Sequence, residues 1–93
     1  MSKVAARSAV KTAVQMAHRL KPGTRLEILN FKKDRWVHVA RGSAGMLEVT
    51  EAGFFQNVWR VPDEEAPAIL KEVIPREFPR SHELRFTVKN LVK

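Results

Sequence analysis

The stretch HELRFTVK, residues 82–89, decides the fold, because it alternates apolar and polar side chains more cleanly than any other part of the chain. Leu84, Phe86 and Val88 fall on one side of an extended backbone, since successive side chains of a strand point to opposite faces. The intervening side chains are polar or charged. The pattern predicts a strand with one buried face and one face in water, which is typical of antiparallel sheets.

Four more strands are predicted upstream, at about residues 24–31, 35–41, 46–50 and 54–61. Short links separate them, and the turn at 32–34 makes 24–41 a predicted hairpin. Consecutive strands with short connections favour an antiparallel meander.

Two helices complete the predicted domain, one over residues 3–20 and one over 64–74. The apolar stripe of the first helix consists mostly of alanine, and acidic residues open the second, where the helix dipole favours them. Pro75 is expected to end the second helix. We therefore predict a single α+β domain over residues 1–93, with order α-β-β-β-β-α-β and a mainly antiparallel sheet that carries both helices on one face.

Composition excludes several classes of protein. The 93 residues include no cysteine, so disulfides, thiolate metal sites and cysteine nucleophiles are absent. No apolar run approaches the ~18 residues that a membrane span needs, and no secretory signal is recognisable. We expect a cytoplasmic protein with no membrane partner.

Positive charge is concentrated at the start of the chain. The formal net charge is +7, yet no carboxylate precedes Glu27. Six cations lie in this first segment: Lys3, Arg7, Lys11, Arg19, Lys21 and Arg25. On a helix, Lys3, Arg7 and Lys11 would form one basic ridge. Such asymmetry suggests a polyanionic partner.

A second basic cluster lies at the predicted hairpin tip, where Lys32, Lys33 and Arg35 stand beside Trp36. A basic hairpin can lie along a phosphate backbone. Solvated turn lysines are the plainer interpretation.

The far face of the sheet carries the remaining residues that bear on function. If the apolar positions face the helices, alternation sends eight residues to the other side: Arg25, Glu27, Trp36, His38, Glu48, Arg85, Thr87 and Lys89. In the strand at 54–61, either Phe54 with Val58 or Phe55 with Trp59 points inward. An aromatic ring among cations can stack unpaired bases, but it can also form the centre of a homodimer contact.

Catalysis has little support in the sequence. His18, His38 and His82 are far apart, and no spacing indicates a metal site, a phosphate-binding loop or a nucleophile. We expect no enzyme, no cofactor and no metal.

Two hypotheses remain. The first is a small nucleic-acid-binding module that contacts phosphates with weak sequence preference, through the six N-terminal cations, the hairpin cluster and Trp36. The second is a protein-interaction or homodimeric subunit that uses the Trp36 face of the sheet.

Overall fold

Six antiparallel strands form one sheet in the computed structural model, which describes residues 2–42 and 44–91. The strands are β1 Ser2–Ala5, β2 Thr24–Leu29, β3 Trp36–Arg41, β4 Leu47–Ala52, β5 Asn57–Val61 and β6 Glu83–Asn90. Their order across the sheet is β1-β6-β2-β3-β4-β5. The predicted meander therefore runs from β2 to β5, and β6 returns to pair with β2.

Two helices, α1 Ala9–Arg19 and α2 Ala66–Glu77, pack against each other on one side of this sheet. The alanine stripe of α1 is fully buried at Ala9, Ala13 and Ala17, which lets the helix approach its neighbours closely. The strands bury these residues beneath the helices: Leu26, Ile28, Val37, Val39, Leu47, Val49, Leu84 and Phe86. The predicted fold class, an α+β domain with a mainly antiparallel sheet and both helices on one face, is confirmed.

Arg41 joins the sheet to the helix layer. Its buried guanidinium donates to the backbone carbonyls of Ala17 and Leu20 at the end of α1, at 2.9 and 3.1 Å, and also binds the Asp63 carboxylate. The last carbonyls of a helix lack intrahelical partners, so these bonds satisfy the end of α1 and fix it over the sheet.

The side of the sheet turned away from α1 and α2 is called the open face below. The strand register places on it the polar, charged and aromatic residues Lys3, Arg25, Glu27, Trp36, His38, Glu48, Thr50, Arg60, Glu83, Arg85, Thr87 and Lys89, together with the apolar residues Ala5, Leu29, Ala40, Ala52 and Val58. All eight residues that alternation sent to the far face are among them, so that prediction is confirmed.

The predicted first helix is wrong over its first six residues. Residues 2–5 form β1, which pairs with 83–86 of β6, and a short 3₁₀ turn at 6–8 leads into α1. Without β1, the outer edge of β6 would expose unpaired backbone groups, and pairing satisfies them. The pairing also brings Val4 against the core. Tertiary contact here outweighs the helix propensity of an alanine-rich segment.

The segment before β5 also differs from the prediction. Gly53 has φ 125°, and the backbone N–H groups of Phe54 and Phe55 donate to the buried Glu77 carboxylate at 2.7 and 3.2 Å. The chain therefore resumes pairing only at Asn57, and neither phenylalanine lies in a strand.

Within β5, alternation sends Trp59 toward the core and Val58 to the open face. Of the two pairs that the sequence left open, Trp59 lies inward as one of them predicted, but its partner Phe55 is 38% exposed and lies outside the strand.

The second helix continues through Pro75 to Glu77, so the predicted stop is wrong. Pro75 lies in the last turn, where the missing N–H removes one helical hydrogen bond. The bonds that Glu77 accepts from the 54–55 backbone hold the end of the helix in place.

Candidate functional site

Cations are paired side by side across the strands of the open face. Lys3 on β1 lies directly opposite Arg85 on β6, and Arg25 on β2 lies directly opposite Lys89 on β6. Like charges at opposed positions of neighbouring strands destabilise a sheet. Two such pairs concentrate positive charge on this face of the sheet.

Glu27 holds one of these pairs together. Its carboxylate lies 2.5 Å from Arg25 Nη2 and 3.2 Å from Lys89 Nζ, and its side chain is only 8% exposed. Burial alone would raise the pKa of Glu27, but hydrogen bonds from Arg25 and Lys89 outweigh it and lower the pKa. An ionised, buried Glu27 therefore anchors two cations whose outer parts remain available to solvent.

Trp36 and His38 form a stacked pair in the middle of the same face. Their ring centroids are 4.0 Å apart, with an interplanar angle of 23°. Burial, with a smaller contribution from Arg25 and Lys89, lowers the pKa of His38 to about 4 against the opposing effect of Glu27. The imidazole is therefore neutral at pH 7 and supports one side of the indole.

A hollow of about 410 Å³ opens beside Trp36. Its apolar walls are Trp36, Ala52 and Val58, and Val58 is 56% exposed. Thr50, Glu51, Gln56 and Asn57 also line the hollow, but the Glu51 carboxylate is buried and bound by Asn57 and Arg76. The hollow thus combines an aromatic side chain with the exposed amide of Gln56.

The hairpin tip continues the open face at one end of the sheet. Phe31 is 76% exposed, and the Arg85 guanidinium carbon lies 5.1 Å from its ring centroid. Lys32 and Lys33 are exposed in the turn, which the Asn30 side chain organises by hydrogen bonds to Asp34. These two lysines extend the basic surface beyond the strands.

Arg35 does not join the tip lysines. Its Nη1 donates to the backbone carbonyl of Glu77 at 3.3 Å, and its guanidinium lies over the Phe54 ring at 5.0 Å. It lines a groove of about 680 Å³ with Lys32 and Arg80, but Asp34 and Glu83 line the same groove. Acidic side chains thus accompany the cations of this groove, and Arg35 is already engaged by Glu77 and Phe54.

The predicted basic ridge on a single helix is wrong. Lys3 lies in β1 and Arg7 in the 3₁₀ turn, whereas Lys11 and Arg19 are exposed on α1, on the helix side of the sheet. Lys21 lies in the link between α1 and β2. Of the predicted site residues, the structure brings Lys3, Arg25 and Trp36 together on the open face and places the others elsewhere.

Three cations of the open face, Arg60, Arg85 and Lys89, and Gln56 beside the hollow were not among the predicted site residues. Alternation in β6 already placed Arg85 and Lys89 on the far face, so the signal for them was present. The sequence did not assign Arg60 or Gln56 to the far face, because that assignment depends on where β5 begins.

The described part of the chain contains no group of three or more His, Cys, Asp or Glu residues able to hold a metal ion. Within the same residues, neither helix has the length and apolar character required to cross a membrane. Comparison with known proteins adds no relative, since no family model, curated protein or solved structure matches this chain.

Proposed function

We propose that this chain is a nucleic-acid-binding module that contacts phosphates through the open face. The observation that carries the proposal is the pair of like-charge neighbours, Lys3 with Arg85 and Arg25 with Lys89, on a sheet surface that no described helix covers. Glu27 already binds Arg25 and Lys89, and a phosphate backbone would add negative charge beside the exposed parts of these cations. A cytoplasmic location belongs to the same proposal, and the lack of cysteine is compatible with it.

The proposed contacts follow from position on this surface. Phosphates would be bound by Lys3, Arg25, Arg60, Arg85 and Lys89, with Lys32 and Lys33 extending the contact at the hairpin tip. Trp36 supplies an aromatic contact among them.

Weak sequence preference is part of the proposal. Base sequence in a duplex is read by a helix or a narrow ribbon inserted into a groove. Both helices of this chain lie behind the sheet, and the face that would meet the ligand is six strands wide. Contacts to the backbone position a ligand without selecting its sequence.

The test is the salt dependence of oligonucleotide binding in two matched double variants. Lys3→Gln with Lys89→Gln removes two charges from the open face, and Lys11→Gln with Lys71→Gln removes two exposed charges from the helices. Each lost phosphate contact reduces the slope of log affinity against log salt by about 0.7 to 0.9. We expect the open-face variant to lose about 1.4 to 1.8 from the slope and the helix variant to retain the parent slope.

Two results would contradict the proposal. One is a parent protein that fails to bind DNA or RNA at low salt. The other is an equal loss of slope in both variants, which would show a response to net charge and no role for the open face.

A homodimer that buries the open face is the second candidate. Val58 favours the homodimer, because it is an exposed apolar side chain on the edge strand β5. It lines the same hollow as Trp36 of β3. Tryptophan at the centre of an apolar patch is typical of protein interfaces. Light scattering would then report a dimer that persists in high salt, that Val58→Asp dissociates, and that binds no nucleic acid.

A further inference from the structure

We infer that the hollow beside Trp36 receives one unpaired base, so that the partner is a single strand and not a duplex. This inference rests on the proposed function and names the class of nucleic acid that the open face would bind.

The aromatic wall of the hollow has the properties of a stacking site. The Trp36 indole is backed by the His38 ring at 4.0 Å, which limits its freedom to move away when a second ring stacks on it. Ala52 and Val58 complete an apolar lining. A nucleobase presents two flat apolar faces, and stacking on an aromatic side chain is tolerant of base identity.

The rim of the hollow matches the edge of a base. Asn57 also lines the hollow. Its Nδ2, however, donates to Glu51 Oε1 at 3.1 Å, and Glu51 is bound by Arg76 of α2 at 2.6 Å, so this amide is turned to the helix side. The Gln56 amide is exposed, and no hydrogen bond within residues 2–42 and 44–91 engages it. An amide both donates and accepts, as base edges do, so Gln56 can bond a base without selecting a single one.

Cations stand on both sides of the hollow, where the neighbouring phosphates would lie. Arg60 is two residues along β5 from Val58, a distance of about 7 Å. On the other side, Leu29 on β2 lies directly opposite both Trp36 on β3 and Arg85 on β6. Arg85 and Trp36 are therefore separated by two strand spacings, about 10 Å across the sheet. A strand could therefore place a base against Trp36 while its backbone contacts charge on either side.

A duplex cannot use the hollow without cost. Its bases are paired and stacked, and extruding one of them costs a few kcal/mol. An already unpaired base enters the hollow without that cost, which is the reason for assigning a single strand.

The experiment compares a base-bearing strand with an abasic strand of equal charge, and adds the corresponding duplex at the same total phosphate concentration. Fluorescence anisotropy would measure the binding of a labelled ten-nucleotide single strand, of an abasic strand of the same length and of the corresponding duplex. We expect the base-bearing strand to bind about 5- to 100-fold more tightly than the abasic strand. Trp36→Ala should lower its affinity to that of the abasic strand.

A second variant tests the same expectation if Trp36→Ala fails to fold. Val58→Phe changes an exposed position and narrows the hollow while leaving Trp36 in place. It should also reduce the preference for the base-bearing strand. Circular dichroism would establish that both variants are folded.

The outcomes separate the two proposals. Equal affinity of the parent for base-bearing and abasic strands would overturn the assignment of the hollow and leave phosphate binding by the open face standing. Tighter binding of the duplex than of the single strand would overturn it as well. Failure of the parent to bind any of the three at low salt would overturn the proposed function, and this inference with it.

Discussion

Acidification should destabilise this fold through one histidine, His38 on β3. Burial lowers its pKa in the folded chain to about 4, whereas the ordinary value of 6.5 applies when the chain is unfolded. Between these two pH values the unfolded state binds more protons than the folded state. The contribution to stability is therefore complete above about pH 6.5 and is lost as the pH falls toward 4.

The size of the effect follows from the two pKa values. At pH 5 His38 is mostly protonated in the unfolded chain and mostly neutral in the folded chain. Linkage then gives a loss of about 2 kcal/mol relative to pH 7. The side chain is 17% exposed, and partial hydration reduces the loss, so we expect about 1 to 2 kcal/mol.

A window near pH 5 isolates this histidine from the carboxylates. Glu27, Glu51 and Asp63 have lowered pKa values in the folded state, and their ordinary values are 4.5, 4.5 and 3.8. Their contributions are present above those values and are lost as the pH falls through the lower folded values. Below about pH 4.5, protonation of these carboxylates also lowers the stability of the fold. The free energy of unfolding is therefore compared at pH 7, 6 and 5, where only His38 of these four groups contributes.

Urea unfolding, followed by far-ultraviolet circular dichroism, measures the free energy of unfolding at each pH. The parent should lose about 1 to 2 kcal/mol between pH 7 and pH 5. His38→Gln cannot titrate and should show a nearly flat profile over the same range, whatever its stability at pH 7. A parent whose stability is equal at pH 7 and 5, or a variant that loses as much as the parent, would refute the reasoning from burial.

Two further predictions concern the segment that sets the start of β5. Gly53→Ala should cost about 2 to 4 kcal/mol in urea unfolding, because φ is 125° and a Cβ would lie 2.9 Å from Arg35 Cα; a cost below about 0.5 kcal/mol would show that the backbone at this position tolerates a side chain. Glu77→Gln should cost about 1 to 3 kcal/mol, because one of the two acceptors for the Phe54 and Phe55 N–H groups becomes a donor. Amide hydrogen exchange at 54 and 55 should accelerate in that variant, and unchanged exchange would show that the carboxylate does not hold this loop.

The open face could be predicted from the sequence because alternation is a local property. In β6, Arg85, Thr87 and Lys89 point one way as soon as Leu84 and Phe86 point the other, whichever strands lie beside them. The same reasoning placed Trp36 and His38 correctly on β3. Register with the neighbouring strands was not needed to assign a side, and so single-sequence reasoning was sufficient.

The first strand could not be found in the same way. Residues 2–5 are extended because the edge of β6, about eighty residues later in the chain, is available for pairing. Nothing in the local sequence distinguishes that outcome from one more helical turn, since Ala5 and Ala6 favour a helix. The hollow beside Trp36 was beyond prediction for a related reason, because its shape depends on the bend at Gly53 and on Glu77, a residue of another element.

Charge along the sequence was the least reliable guide to the surface, and the fold explains why. The first 26 residues cross between layers twice: β1 lies in the sheet, α1 lies in the helix layer, and β2 returns to the sheet. Six cations without an acid therefore separate onto different sides of the molecule, and of these six only Lys3 and Arg25 share a face with Trp36. Their neighbours in space, Arg85 and Lys89, come from the opposite end of the chain. A basic surface that a polyanion could contact is thus assembled by strand pairing between the two termini, and variants that follow linear charge clusters would miss it.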